Sequence, residues 1–129
     1  MNKIKLLFVG LLAIVAGSAC HSKKANTPEE VTKAYVIACY TADFDQMYKL
    51  TPQNNRVIIQ QLQNQMNNHP EAWESIKKNE VEIVDVKCVM QNDSVAECEC
   101  EFLINKAKRT MPYDLRKEND CWLVDLRSN

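Results

Sequence analysis

Six cysteines, two histidines and a run of alternating glutamates are the residue types in this 129-residue chain that could carry chemistry. Five of the cysteines, Cys39, Cys88, Cys98, Cys100 and Cys121, lie in the body of the chain. Cys98 and Cys100 are two apart, so on a strand they share a face, about 6.5 Å apart along the chain. That separation is close to the upper limit for a bridge. With a three-residue loop centred on Asn92, Cys88 lies opposite Ala96 and diagonal to Cys98, which makes Cys88–Cys98 the more credible disulfide. The other reading of all five is as small buried hydrophobes. A Cys-x-Cys with no second spaced pair and no suitable histidine does not match zinc spacing. No metal or cofactor is therefore expected.

The remaining groups argue against catalysis. His21 lies near the N-terminus, and His69 sits at a helix start, where it is a cap or a solvent residue. Glu97, Glu99 and Glu101 alternate outward on one strand, as a solvated face does, with Lys87 as a cross-strand partner. No pair of carboxylates points inward for acid–base work, and only Tyr113 and Tyr35 remain as weak candidates, so no catalytic residue is assigned. The two glycines are Gly10 and Gly17. The chain beyond them has no glycine-rich loop to cradle a phosphate. A formal net charge of −1 gives no basic field for nucleic acid. Arg109 is the one charge that the strand register points inward. Beside Phe102, Tyr113 and Trp122 it could hold an anionic or aromatic ligand by charge and stacking. Alternatively, Arg109 lies at a strand end and reaches water.

The elements that must position these groups divide into a helical half and a strand half. Thr27-Pro28-Glu29-Glu30 is a capping box with proline at the first helical position. Val31, Ala34, Tyr35, Ala38 and Ala42 then recur at helical spacing, with Cys39 at the stripe's edge. Asp43 caps a short helix over 44–50. Thr51-Pro52 repeats the cap-proline device before a helix carrying Ile58, Ile59, Leu62 and Met66, whose Gln/Asn-rich side is a polar face. His69-Pro70 opens a last helix with Trp73 and Ile76. From Val81 the period becomes two. Val84, Val86, Cys88 and Met90 form one strand face, and Ala96, Cys98, Cys100, Phe102 and Ile104 a second. Met111, Tyr113 and Leu115 form a third, and Trp122, Val124 and Leu126 a fourth. Turns fall at Asn92-Asp93, Asn105-Lys106 and Asn119-Asp120, since asparagine and aspartate tolerate positive φ where glycine is lacking. Two-residue turns set Ile104 opposite Ala107, Phe102 opposite Arg109, Cys100 opposite Met111, Leu115 opposite Val124 and Tyr113 opposite Leu126. Pro112 requires a bulge or an edge position. Trp122 should face the helices opposite Lys117, and Cys121 should face away from them and be accessible.

The N-terminus reads as a targeting segment. Lys3 and Lys5 precede an apolar run of 11 residues, Leu6 to Ala16, too short to span a bilayer. Gly17-Ser18-Ala19-Cys20 resembles a bacterial lipoprotein lipobox, departing from it at Gly17, where an aliphatic residue is usual. The resemblance implies cleavage after Ala19 and acylation of Cys20, hence a membrane partner through the lipid. Simple secretion with the same cleavage is the alternative. The order of parts is then a signal peptide at 1–19, lipidated Cys20 with a polar tether to residue 26, and a domain at 27–127. His21 after the cysteine, where aspartate is absent, implies delivery to the outer membrane, facing the periplasm.

Helices followed by an antiparallel meander make an α+β domain, with helices packed on a curled sheet. Thr27-Pro28-Glu29-Glu30-Val31, Ala34-Tyr35, Asp43-Phe44 and the closing 119–126 segment resemble small bacterial lipoproteins of unknown function. Those are grouped with lumazine-binding-like domains in the nuclear-transport-factor-2-like superfamily. The family usually has glycine in the last turn, where this chain has Asn119-Asp120. The resemblance implies a cone whose open end can leave a pocket, and no particular chemistry. The expected function is a non-catalytic envelope module that binds a small ligand or an envelope protein, as monomer or homodimer. The alternative is an acid–base enzyme using the pocket at the cone's open end.

Overall fold

Local capping chemistry sets the helix starts. The computed structural model describes residues 27–128; the expected signal segment, Cys20 and the expected tether lie outside them. Helix α1, Pro28–Tyr40, opens with proline in its first turn, and the Thr27 hydroxyl accepts the Glu30 N–H at 3.1 Å. It buries Val31, Thr32, Tyr35, Val36 and Ala38. Thr32 satisfies its hydroxyl within the helix, donating to the Pro28 carbonyl at 2.8 Å.

The end of α1 uses a motif that normally takes glycine. Ala42 stands at φ 57°, and the Asp43 N–H bonds the Ala38 carbonyl at 2.9 Å. Those are the left-handed residue and the long return bond of a Schellman end. Alanine fills the position at a steric cost of about 1 kcal/mol. Asp43 then caps α2, Phe44–Lys49, accepting the Gln46 N–H at 3.3 Å.

Thr51-Pro52 does not open the next helix. The Thr51 hydroxyl donates back to the Met47 carbonyl at 2.8 Å, so it closes α2. A single 3-10 turn, Gln53–Asn55, intervenes before α3, Arg56–Asn67. Helix α4, Pro70–Lys77, starts at the expected proline. His69 occupies its cap position, but the imidazole makes no capping bond and is exposed.

The strands are β1 Val81–Asn92, β2 Val95–Ile104, β3 Ala107–Glu118 and β4 Cys121–Val124, antiparallel in the order β1-β2-β3-β4. The two tight turns have positive φ at both central residues, Asn105 and Lys106, then Asn119 and Asp120. That geometry matches the strand twist without glycine. It places Ile104 opposite Ala107, Phe102 opposite Arg109, Cys100 opposite Met111, and Leu115 opposite Val124.

The structure corrects the alternation in three places. A register shift between Ile83 and Asp85 leaves Val84 as an extra, half-exposed residue, so Ile83 and Val86 take the inner face instead. A second shift, between Met90 and Asn92, moves the first turn, and Cys88 lies directly opposite Cys98 rather than diagonal to it. Strand β4 stops at Val124, so Tyr113 and Leu126 do not pair. The Asp125 N–H bonds the Asp114 carbonyl at 2.8 Å, and Leu126 begins a 3-10 turn. Pro112 sits in unbroken register with Glu99, beyond the reach of β4. Its missing donor therefore faces an open edge.

Helix α1 lies across the inner sheet face. Val31, Tyr35 and Ala38 pack with Ala96, Cys98, Leu115, Trp122 and Val124, and Val36 packs with Cys100 and Phe102. Helices α2 to α4 close over one side, bringing Phe44, Met47, Ile59, Trp73 and Ile76 onto the same core.

Candidate functional site

Strand β2 carries Phe102 into the core, where it is fully buried and its ring centroid lies 5.0 Å from that of Tyr40. Tyr113, one strand over, meets Tyr35 edge-to-face at 5.7 Å. Arg109 is opposite Phe102 in register, yet it is exposed. Tyr40 at the end of α1 lies near enough to feel its charge, but the side chain is not covered and stays in water. Trp122 is 6% exposed and opposite Lys117, whose Nζ lies 5.8 Å from the indole centroid. It belongs to the larger core cluster with Leu115 and Val124, whereas Phe102 belongs to the smaller one with Val36 and Cys100; Tyr113 touches both. The structure thus brings Phe102 and Tyr113 together, packed rather than lining a cavity, and leaves Arg109 and Trp122 apart from each other.

The tyrosines and free thiols around this aromatic cluster are shifted the same way. Burial raises the pKa of Tyr35, Tyr40 and Tyr113. For Tyr40 the nearby Arg109 charge opposes the shift without reversing it. Burial pushes the Cys100 thiol up to about 11. It raises Cys39 too, against a smaller opposing effect of its hydrogen bond with Tyr35. All five stay protonated at neutral pH, so none is a ready nucleophile or base.

Cys88 and Cys98 form a cross-strand disulfide with their Cα atoms 4.0 Å apart. The free thiols among the described residues are Cys39 and Cys100. Cys121, expected to be accessible, is only 5% exposed. Cys121 and Trp122 are consecutive and both buried, so alternation does not assign exposure at the start of this short strand. No group of three or more His, Cys, Asp or Glu among the described residues could hold a metal ion.

A concave site does exist, but on the helical side. At the corner between α1 and α2 a cleft of about 510 Å³ is floored by Phe44 and Trp73 and rimmed by Thr41, Asp43, Asp45, Gln63 and Lys77. The two rings stand edge-to-face at 5.8 Å. Lys77 holds its ammonium 4.9 Å from the Trp73 centroid and 3.5 Å from Glu74. The Trp73 Nε1 is buried without a hydrogen-bond partner. Carboxylate and amide acceptors beside an aromatic floor suit a small ligand carrying donor groups and an apolar face.

The residues of this cleft were visible in the sequence only under other roles. Asp43 carries a helix-cap signal, and Trp73 lies on an apolar stripe. Nothing local says that α4 folds back onto the α1–α2 corner. Compared with known proteins, the chain matches no family model and shows no significant similarity to a curated sequence.

Proposed function

We propose that this protein is an exported, lipid-anchored module of the bacterial envelope that binds a small ligand or a protein partner without transforming it. The observation that carries the reading is the Phe44–Trp73 cleft, an aromatic floor with a polar rim and a few hundred Å³ of room. Two further points agree with it. The buried tyrosines and thiols are held protonated, which suits a binding role better than acid–base chemistry. The Cys88–Cys98 disulfide suits an oxidising compartment. The anchor itself rests on the lipobox resemblance of Gly17-Ser18-Ala19-Cys20, and the helix-then-meander order accords with a nuclear-transport-factor-2-like module.

A ligand-observed NMR screen of the full chain against small polar aromatics, sugars and amino acids tests the binding role. Asp45, exposed on the rim, is the position tested. Ligands should bind the wild type and be lost or weakened in Asp45→Ala with the fold unchanged. A screen with no ligand, or ligands indifferent to Asp45→Ala, overturns the assignment of the cleft. Metabolic labelling with a palmitate analogue tests the anchor, with label expected on the wild type and absent from Cys20→Ala.

A further inference from the structure

Strand β1 is an open sheet edge along its 12 residues, since the sheet order places only β2 beside it. Its backbone polarity can be read from the neighbouring turn. In a two-residue hairpin the residues flanking the turn form a hydrogen-bonded pair, so Ile104, Phe102, Cys100 and Cys98 turn their N–H and C=O groups toward β3. Their β1 partners are then non-hydrogen-bonded pairs, and the 4.0 Å Cα separation of Cys88 and Cys98 has that close spacing. Val86 and Cys88 therefore direct their backbone donors and acceptors to the open side. The same strand exposes Val84 (50%), Val89 (63%) and Met90 (50%).

Two opposite charges flank Val86. Asp85 and Lys87 lie on the outer sheet face, opposite Glu101 and Glu99. The ion pairs of this sheet among the described residues join Lys108 to Glu101 and Arg116 to Glu118 and Asp125. Asp85 and Lys87 are in none of them. The sequence Asp85-Val86-Lys87 is its own complement in charge when read antiparallel.

We propose that the β1 edge is a homodimer interface, with two copies pairing antiparallel about a two-fold axis at Val86. The axis makes Val86 face its own copy as a hydrogen-bonded pair. Asp85 faces the partner's Lys87, and Lys87 faces the partner's Asp85. Val84 then faces the partner's Cys88, and the pairing joins two four-stranded sheets into one. The isologous geometry requires a surface complementary to itself, which a single unlike partner would not. The register is specified too. Moving the axis to Cys88 sets Lys87 opposite Val89 and loses both ion pairs. With the axis at Val86, the irregularity at Val84 limits the paired segment to residues 84–88 of each copy, so the association is short and reversible rather than an open-ended stack.

Sedimentation of the full chain in mild detergent, across a concentration series, tests this. The wild type should pass reversibly from monomer to dimer. Asp85→Lys and Lys87→Glu each set like charges opposite one another, and each should weaken self-association roughly tenfold or more. Mixed together, the two variants present opposite charges again and should form the heterodimer at close to wild-type affinity. Amide exchange at Val86 and Cys88 should slow with concentration in the wild type and in the mixture, but in neither variant alone. A wild type that stays monomeric to its solubility limit overturns the proposal. So do charge variants that dimerise as tightly as the wild type, or a mixture that forms no heterodimer while each variant keeps its Cys88–Cys98 bond and its circular dichroism.

Discussion

The Asn55 Oδ1 accepts the backbone N–H of Leu126 at 2.6 Å, joining the turn before α3 to the end of the chain across 71 residues. Asn55 is fully buried, its own N–H bonds the Pro52 carbonyl at 2.9 Å, and its amide donates to Asn54 at 3.0 Å. A second tie lies alongside, from the Val124 N–H to the Leu50 carbonyl at 2.8 Å. The helical half and the last strand are thus held by directional bonds as well as by the core.

Asn55→Ala should cost about 1–3 kcal/mol, because it leaves the Leu126 N–H without its acceptor and deletes a buried amide. Urea unfolding read by circular dichroism measures it. An unchanged midpoint would mean that water or a shifted neighbour takes over the bond.

Trp122 packs with Leu115 and Val124 beneath α1. Trp122→Ala should cost about 3–5 kcal/mol, enough to unfold a domain of this size. A folded variant with an unshifted melting temperature would contradict the packing of the last strand.

Ala42 holds a left-handed conformation at φ 57°. Ala42→Gly relieves the steric penalty and should raise stability by up to about 1 kcal/mol, whereas Ala42→Val should lower it. Thermal unfolding of the pair checks the sign, and a destabilised glycine variant would count against the strained turn.

Cys100 is held protonated up to about pH 11, whereas in the unfolded chain it ionises near 9. Between these values the unfolded state binds fewer protons than the folded one. Stability is therefore fully present below about pH 9 and falls as pH rises toward 11. Cys100→Ala should show a shallower loss over that window in denaturant titrations. Alkylation of Cys39 and Cys100 in the folded protein at neutral pH should be slow, since both are raised by burial. Rapid labelling of either would show that the thiol is reachable as the thiolate.

What could be read from the chain alone was what short-range physics decides. Thr27-Pro28 and Asp43 announce helix starts because the capping atom and the amide it satisfies lie within three residues. Asn105-Lys106 and Asn119-Asp120 announce two-residue turns because only a few residue types tolerate positive φ, and from a turn of known length the register follows arithmetically. The α+β order follows from the change of period at Val81. The remainder depends on how far one element covers another. Arg109 shares a face with Phe102, but only the tertiary packing decides that one is wet and the other dry. Val84 breaks the alternation because a bulge inserts a residue without changing residue type, and that slip alone exposes Val84. Thr51 bonds backward to Met47 because α2 ends there, which no cap-proline pattern announces. The Phe44–Trp73 cleft exists only because α4 returns to the α1–α2 corner. That return is set by burying Trp73 and Ile76 on a shared core, a long-range packing free energy with no local signature.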